Sequence, residues 1–307
     1  MSEITVRSLA KAVLLQSIRR LLRSGLHYVQ RIGRWPIILW HVRGTTWKDE
    51  WTLVRCALAS PFLSIKNLMQ WQDPILLADA QVDVRGVGRF LIRARCDDLW
   101  HVLPWRENAI FSVFHDTLRP GDNFIDAGAN IGFYTVLAAR LVGPDGKVIA
   151  VEMMPDTADQ LTHNLALNRI SNVTVCRKAL SNISGQTVTA VVTPGKYGQA
   201  SIAKGSSDDE VVRLDVRTTT LDEISSDLSS VRLIKMDLEG AEAAALQGTA
   251  ELLHKTDFLI YESWGMSHTV SNPVDSCLHQ TGYVLNRIDG NNWLASHANH
   301  SAVAATA

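Results

Sequence analysis

Cysteine, long apolar runs and an excess of charge of either sign are all scarce in this chain of 307 residues. Its four cysteines, Cys56, Cys96, Cys176 and Cys277, stand far apart, with no C-x-x-C and no His/Cys cluster. That spacing indicates neither a disulfide framework nor a zinc site, and makes a reducing, cytoplasmic setting the default. No apolar stretch approaches the roughly 18 residues of a membrane span. Arginines interrupt the apolar start too often for a secretory signal. A net charge of −1 argues against a nucleic-acid partner, which calls for a strongly basic surface. No internal repeat with a period of roughly 20–50 residues is visible.

What is present is ordinary in amount and uneven in place. Hydrophobic residues make up 46% and charged residues 20%, enough for one large domain with an appendage. Between Met1 and Thr46 stand Arg7, Lys11, Arg19, Arg20, Arg23, Arg31, Arg34 and Arg43, against the single acid Glu3. Ala10, Leu14, Ile18, Leu21 and Leu22 recur there at helical spacing, with Arg19, Arg20 and Arg23 toward the other side. Seven of the nine tryptophans precede residue 106. Such a segment either lies peripherally on an anionic membrane face or packs against the main domain or a second copy in a homo-oligomer. We therefore divide the chain into a basic, Trp-rich helical extension (1–81), a main domain (82–296) and a flexible tail (297–307).

Alternation over 82–95 predicts a small β entry, followed by a helix over 109–118. From Asn123 the pattern alternates between strand and helix. Strands are expected at 123–126, 147–152, 173–178, 231–236 and 257–262, with helices at 132–141, 157–167 and 241–253. Thr220 is a plausible N-cap for a further helix. Glycines and Pro194 punctuate short β-branched runs over 186–216, which fits a hairpin-like insertion. A closing antiparallel pair is expected at 282–288 and 292–295, around Asp289-Gly290. Strands alternating with helices imply an α/β fold with a parallel sheet covered on both faces. Ligands bind such sheets beyond the carboxyl ends of the strands.

That rule gathers Asp126, Glu152, Lys178, Asp237 and Glu262, which end five predicted strands. Carboxylates at the ends of apolar strands need a reason, because an unpaired buried charge is costly. Asp126 precedes a glycine turn, Asp126-Ala-Gly-Ala-Asn-Ile-Gly132, where Gly128 and Gly132 let a ligand approach the backbone. Dinucleotide sites space their glycines G-x-G-x-x-G and carry the acid about 20 residues later. The spacing here suits a ligand with no pyrophosphate and a cationic amino-acid end, such as S-adenosylmethionine. Asp126 either orders the loop and reaches that end or caps the loop's own amides. Asn130 lies within the loop. Glu152 is placed to accept hydrogen bonds from ribose hydroxyls, Met153 and Met154 to meet an adenine face or fill core, and the backbone at Ala179 to meet the adenine edge.

Lys235-Met-Asp-Leu-Glu-Gly-Ala-Glu242 forms the second dense cluster. Asp237 stands at the mouth of its strand, a candidate general base for the acceptor, while Glu239 and Glu242 serve either an acceptor or divalent cation, or the start of the next helix. Glu262, facing Asp237, supplies a general base or a cation ligand. His268 is a further base candidate on a loop.

Phe124-Ile-Asp-Ala-Gly-Ala-Asn-Ile-Gly-Phe-Tyr-Thr135, Thr220-Leu-Asp222 and Ile234-Lys-Met-Asp-Leu-Glu-Gly-Ala-Glu242 together resemble the FkbM family of S-adenosylmethionine-dependent methyltransferases. Arg106-Glu107, Leu118-Arg-Pro-Gly121, Gly282-Tyr283 and Asn292-Trp-Leu-Ala295 are similar to its flanks. The likeness spans 97–295, with Ala127 and Met236 where a branched aliphatic is commoner. It implies a class I methyltransferase fold: a Rossmann-like, doubly wound sheet of seven strands, the last antiparallel. It also implies O-methylation of a hydroxyl on a sugar, a glycan or a secondary metabolite such as a polyketide. By the same resemblance Asp126, Gly128, Asn130, Gly132 and Glu152 look like cofactor contacts, and Asp237, Glu239 and Glu242 fall on the family's acidic motif. Two rival readings remain at this level: a non-catalytic adaptor that keeps the cofactor site, and an NAD-dependent oxidoreductase.

Overall fold

In the computed structural model, the apolar strands after Asn123 assemble into one seven-stranded sheet; the structure describes residues 25–26, 28–30, 32–66, 74–202, 211–263 and 272–297. The helical segment read over Ala10–Leu22, His268 and the tail beyond 297 lie outside the described residues.

The chain opens with helix α1 (32–41), strand β1 (Val42–Gly44) and helix α2 (Trp47–Lys66). Strands β2 (Ala80–Val84) and β3 (Gly88–Ile92) follow, then the short helix α3 (Asp98–His101), a 3-10 turn (Pro104–Glu107) and α4 (Asn108–Thr117). The central run is β4 (Phe124–Ala127), α5 (Phe133–Val142), β5 (Val148–Val151), α6 (Pro155–Leu167) and β6 (Val173–Cys176). Next come β7 (Ala179–Leu180), β8 (Thr187–Val192) and β9 (Val212–Thr219). The last elements are α7 (Leu221–Ile224), β10 (Val231–Met236), α8 (Glu242–Gln247), β11 (Thr256–Glu262), α9 (Pro273–Gln280), β12 (Tyr283–Asp289) and β13 (Asn292–His297).

The large sheet has the order β12-β13-β11-β10-β4-β5-β6. Its strands run parallel except β13, which is antiparallel to both neighbours. The chain winds outward from β4 through β5 to β6, then returns to place β10 on the other side of β4. The winding reverses between β4 and β10, and a crevice opens at their carboxyl ends. Every residue of β4 and β5 is buried, as expected for strands covered on both faces. Helix α5 buries eight of its ten residues, so it is a core helix rather than a surface one.

The expected insertion is present: β8 and β9 pair antiparallel, and β9 also pairs with β7. Its apolar face, Ala190, Val192 and Val216, packs with Met154 and Ala179. Thr220 caps α7 by accepting from the Glu223 amide.

Three expectations need correction. A boundary at residue 81 would cut strand β2, and the preceding segment is not purely helical, because β1 pairs with β2 inside it. Trp35, Ile38, Val42, Leu53, Cys56 and Leu76 belong to the same buried cluster as Phe124 and Phe258, so the described residues between 32 and 80 are built into the main core. The helix expected over 241–253 stops at Gln247. There Gly248 passes so close to the Ser181 carbonyl that a Cβ would lie 2.7 Å from it. Helix α9 is an addition to the expected elements, although Asn272 caps it and Pro273 starts it, a combination that marks helix starts.

One side chain ties the N-terminal sheet to the glycine turn. Asn164, fully buried on α6, accepts from the Leu91 amide at 2.8 Å and donates to the Ile131 carbonyl at 2.8 Å. Asn164→Leu leaves a buried donor and a buried acceptor unpaired and should cost about 2–4 kcal/mol. The expected readout is a lowered urea midpoint with an unchanged denaturant slope.

Candidate active site

A cleft lies at the crevice between β4 and β10, the place where sheets of this kind bind small molecules. Asp126, Gly128, Asn130, Glu152, Ala179, Asp237 and Glu239 all border it. Gly132, Glu242 and Glu262 lie outside its lining.

The glycines act differently from the expectation that they clear space for a ligand. Gly128 has φ +88°, and a Cβ there would collide with the Asp237 carbonyl oxygen. Gly132 has φ +94°, and its Cβ would strike the Leu161 side chain. Both are required by the protein's own packing. The loop is cross-tied: the Asp237 amide donates to the Ala127 carbonyl, and the Gly128 and Ala129 amides converge on the Val151 carbonyl. Asn130 takes φ +48°, a left-handed conformation that Asn tolerates better than most residues. Its side-chain oxygen is buried without a partner. Such an atom is open to a donor from a bound ligand or water.

Glu152 is buried at the end of β5, and both carboxylate oxygens already hold the loop. One accepts from the Asn130 amide at 2.9 Å and the other from the Met154 amide at 2.8 Å. Each oxygen keeps a second lone pair for a ligand hydroxyl. Burial raises its pKa to about 7, against the opposing pull of those two amides. Met153 borders the cleft while Met154 packs in the insertion's core, so the two methionines divide the roles open to them.

The acids around β4 and β10 are organised by a residue to which the strand-end pattern assigns no role. Lys235 is 4% exposed, its Nζ lies 3.1 Å from the Asp237 carboxylate, and it sits 5.0 Å from the Tyr134 ring centre. Burial works against its charge, yet Asp237, Asp126 and Glu107 together hold its pKa above the ordinary lysine value. Asp237 is pushed upward by burial, but Lys235 outweighs this and its pKa falls below the usual carboxylate range. Asp126 is 1% exposed and accepts from Thr135 Oγ1 at 2.6 Å. For it burial prevails over Lys235, and its pKa is raised. Glu262 lies at the end of β11 beside the end of β10. Burial first and the Asp237 charge second lift it to about 7.

Glu242 serves the turn. Its Oε1 accepts from the Leu238 and Gly240 amides at 2.9 and 3.3 Å, fixing the strand-to-helix corner in which Glu239 adopts φ +51°. Among the described residues, the group of potential metal ligands with mutually close donor atoms is Cys96, Asp97 and Asp98, not the Asp237, Glu239, Glu242 and Glu262 set. Those aspartates have other work. Asp98 takes the Arg93 guanidinium through two oxygens at 2.8 Å, and Asp97 accepts from the Tyr197 and Gly198 amides at 3.1 and 3.2 Å.

Through Asp97 the insertion is fastened over the cleft. Tyr197 and Gly198 enter its wall beside His101, whose Nε2 lies 3.3 Å from Asp97. A Cβ on Gly198 would overlap the His101 ring. Arg106 completes this side, paired at 2.9 Å with Glu107, which also accepts from the Tyr134 hydroxyl at 2.5 Å. In the sequence Arg106 and Glu107 stand out only through the family likeness. Lys235 is the more legible omission: a buried cation near the end of a mostly apolar strand, two positions before Asp237 and so on the same face.

A family model described as the methyltransferase FkbM domain matches residues 126–285. The chain belongs to the FkbM family of S-adenosylmethionine-dependent methyltransferases. Methyltransferase sdnD of Sordaria araneosa is 27% identical over 200 residues, covering 55% of this chain and 76% of that protein. Hexuronic acid methyltransferase AglP of Haloferax volcanii is 25% identical over 208 residues, covering 64% of this chain and 82% of that protein. Membership in the family sets the oxidoreductase reading aside.

The loop geometry yields a matched pair of tests. Gly128→Ala combines backbone strain with a clash and should cost about 2–4 kcal/mol. Gly121 shares φ +88°, but a Cβ added there would meet nothing within 4 Å, so Gly121→Ala should cost only about 1 kcal/mol. Equal losses in denaturant unfolding would show that the Asp237 carbonyl imposes no constraint.

Proposed function

We propose that this protein transfers the methyl group of S-adenosylmethionine to a hydroxyl on a sugar, glycan or secondary metabolite. The observation that carries this reading is the cleft at the β4/β10 switch, lined by a buried carboxylate, an unpartnered Asn130 oxygen and a lysine-balanced set of acids. These residues fit the cofactor. Glu152 offers two lone pairs suited to the ribose hydroxyls, Asn130 Oδ1 accepts from an amine or hydroxyl, and the backbone at Ala179 borders the same space. The excess of carboxylates favours a cationic ligand. Asp126, turned toward Thr135 and Lys235, orders the loop. Bound there, S-adenosylmethionine supplies a methyl already activated by its sulfonium, so the protein's main task is alignment.

The acceptor hydroxyl must lose a proton as its oxygen attacks. Asp237 stays ionised but is a weak base, being held low by Lys235. Glu262, with a pKa near neutrality, is the better matched proton acceptor. Its position beyond Asp237, outside the cleft lining, suits an acceptor that approaches from that side. A hexuronic acid methyltransferase among the relatives supports a sugar-type acceptor, and sdnD leaves the secondary-metabolite class open.

The first test is a thermal shift with S-adenosylmethionine, followed by detection of the O-methylated product on uronic-acid and neutral glycan acceptors. Glu262→Gln should lower kcat about 10²–10⁴-fold while leaving cofactor affinity within a few fold. Wild-type turnover should rise with pH to a plateau above about 7, where Glu262 is ionised. A Glu262→Gln enzyme with full turnover would remove it from this role. Glu152 generates a separate expectation. Its ionised form accepts the ribose hydroxyls, so S-adenosylhomocysteine affinity should weaken as pH falls below about 7. Glu152→Gln should flatten that dependence, as read by calorimetry.

A further inference from the structure

We propose that helix α2 docks the protein on an anionic lipid surface through an exposed aromatic stripe. Trp47, Trp51, Leu58 and Phe62 are 83%, 54%, 66% and 73% exposed. At helical geometry they fall within an arc of about 60°. Leu53, Cys56 and Ser60, on the opposite side, are buried and tie the helix to the body of the protein. Isolated exposed apolar residues are commonplace, but large ones aligned along a single helix face mark an interaction surface. Exposed Ile37 and Trp40 on α1 add to the apolar surface of this region.

Charge decides what the stripe meets. Residues 1–66 hold eleven basic and three acidic side chains, a net of +8, while the rest of the chain carries −9. Lys48 and Arg55 are exposed along one edge of the stripe, and neither has an ion-pair partner among the described residues. The acids of α2 are consumed internally. Glu50 is tied to Arg43 at 3.0 Å and to the Gly44 amide, while Asp49 is held by Thr45, Thr46 and the Gln81 amide. An aromatic stripe edged by unneutralised cations matches a lipid interface with anionic headgroups. A second copy packed face to face would oppose two such cationic segments. Residues 1–24 of the same chain, with five basic side chains against one acid, would likewise add positive charge if they covered the stripe.

The docking helices also touch the wall of the cleft. The Arg34 guanidinium stacks on Trp100 at 4.7 Å, and the His41 and Trp105 rings approach at 5.1 Å. Trp100 and Trp105 immediately precede His101 and Arg106, which border the cleft. A protein seated through α2 would hold its cleft in a fixed relation to the lipid plane. No helix among the described residues is long and apolar enough to cross a membrane, so the contact is peripheral.

The test is co-sedimentation of the full chain with vesicles of phosphatidylcholine alone and of phosphatidylcholine mixed with phosphatidylglycerol. The wild type should pellet with the mixed vesicles and not with phosphatidylcholine alone, and added salt should weaken the binding. The triple variant Trp47→Ser, Trp51→Ser, Phe62→Ser should lose binding by about tenfold or more. Lys48→Glu with Arg55→Glu should remove the preference for the anionic lipid, and this pair carries the test if the triple variant fails to fold. A thermal shift with S-adenosylmethionine, unchanged in the variants, separates a docking defect from loss of the cofactor site. Binding of both variants equal to wild type, or no pelleting of the wild type, overturns the proposal. So does a concentration-dependent dimer that the triple variant abolishes, since that assigns the stripe to a second copy.

Discussion

A buried ammonium group among carboxylates is the constraint on which this site rests. Lys235 emerges near the carboxyl end of β10 with Asp237 on one side and Asp126 and Glu107 within its field. Burial alone would neutralise every one of these groups. Together they divide: Asp237 is driven below the usual carboxylate range, while Asp126, farther inside, is raised. Burial first, and the negative charge retained at Asp237 second, lift Glu262 toward neutrality. One cation thus gives adjacent carboxylates different proton affinities, the condition for separating electrostatic from acid–base roles.

The same crowding explains the glycine turn. Gly128 is needed where the loop after β4 passes the backbone after β10, because the Asp237 carbonyl occupies the place of a side chain. Glu152 holds the loop from the other side through the Asn130 amide. The site is consequently preformed by contacts that do not involve a ligand. Asn130 Oδ1, buried without a partner, marks a position the protein leaves for something else to satisfy. The β8–β9 insertion closes the arrangement through Asp97, whose carboxylate receives the insertion's amides. Family membership identifies the methyl donor.

At the other end of the chain, α1 and α2 combine buried core residues with exposed apolar ones. Leu53 and Cys56 are sealed inside while Trp51 and Phe62, on the same helix, face outward. The apolar content of the helix exceeds what one buried face requires, so the surplus is available for contact outside the molecule.

The sequence by itself determined the α/β alternation, the glycine turn, the cap at Thr220 and the acids at strand ends. Each of these is a local pattern: period-two or helical spacing, a turn residue, or a charge interrupting an apolar run. The family was legible for the same reason, since its motifs are contiguous stretches. Only the tertiary structure decided which acids share one charge field, that Glu242 is committed to amides of its own turn, and that the glycines clear protein rather than ligand. It also decided that Asp97 anchors the insertion about a hundred residues away, and that Trp35, Leu53 and Leu76 belong to the main core. Those outcomes depend on distances between segments remote in sequence. Burial and Coulomb interactions follow spatial neighbours, which a linear pattern does not specify.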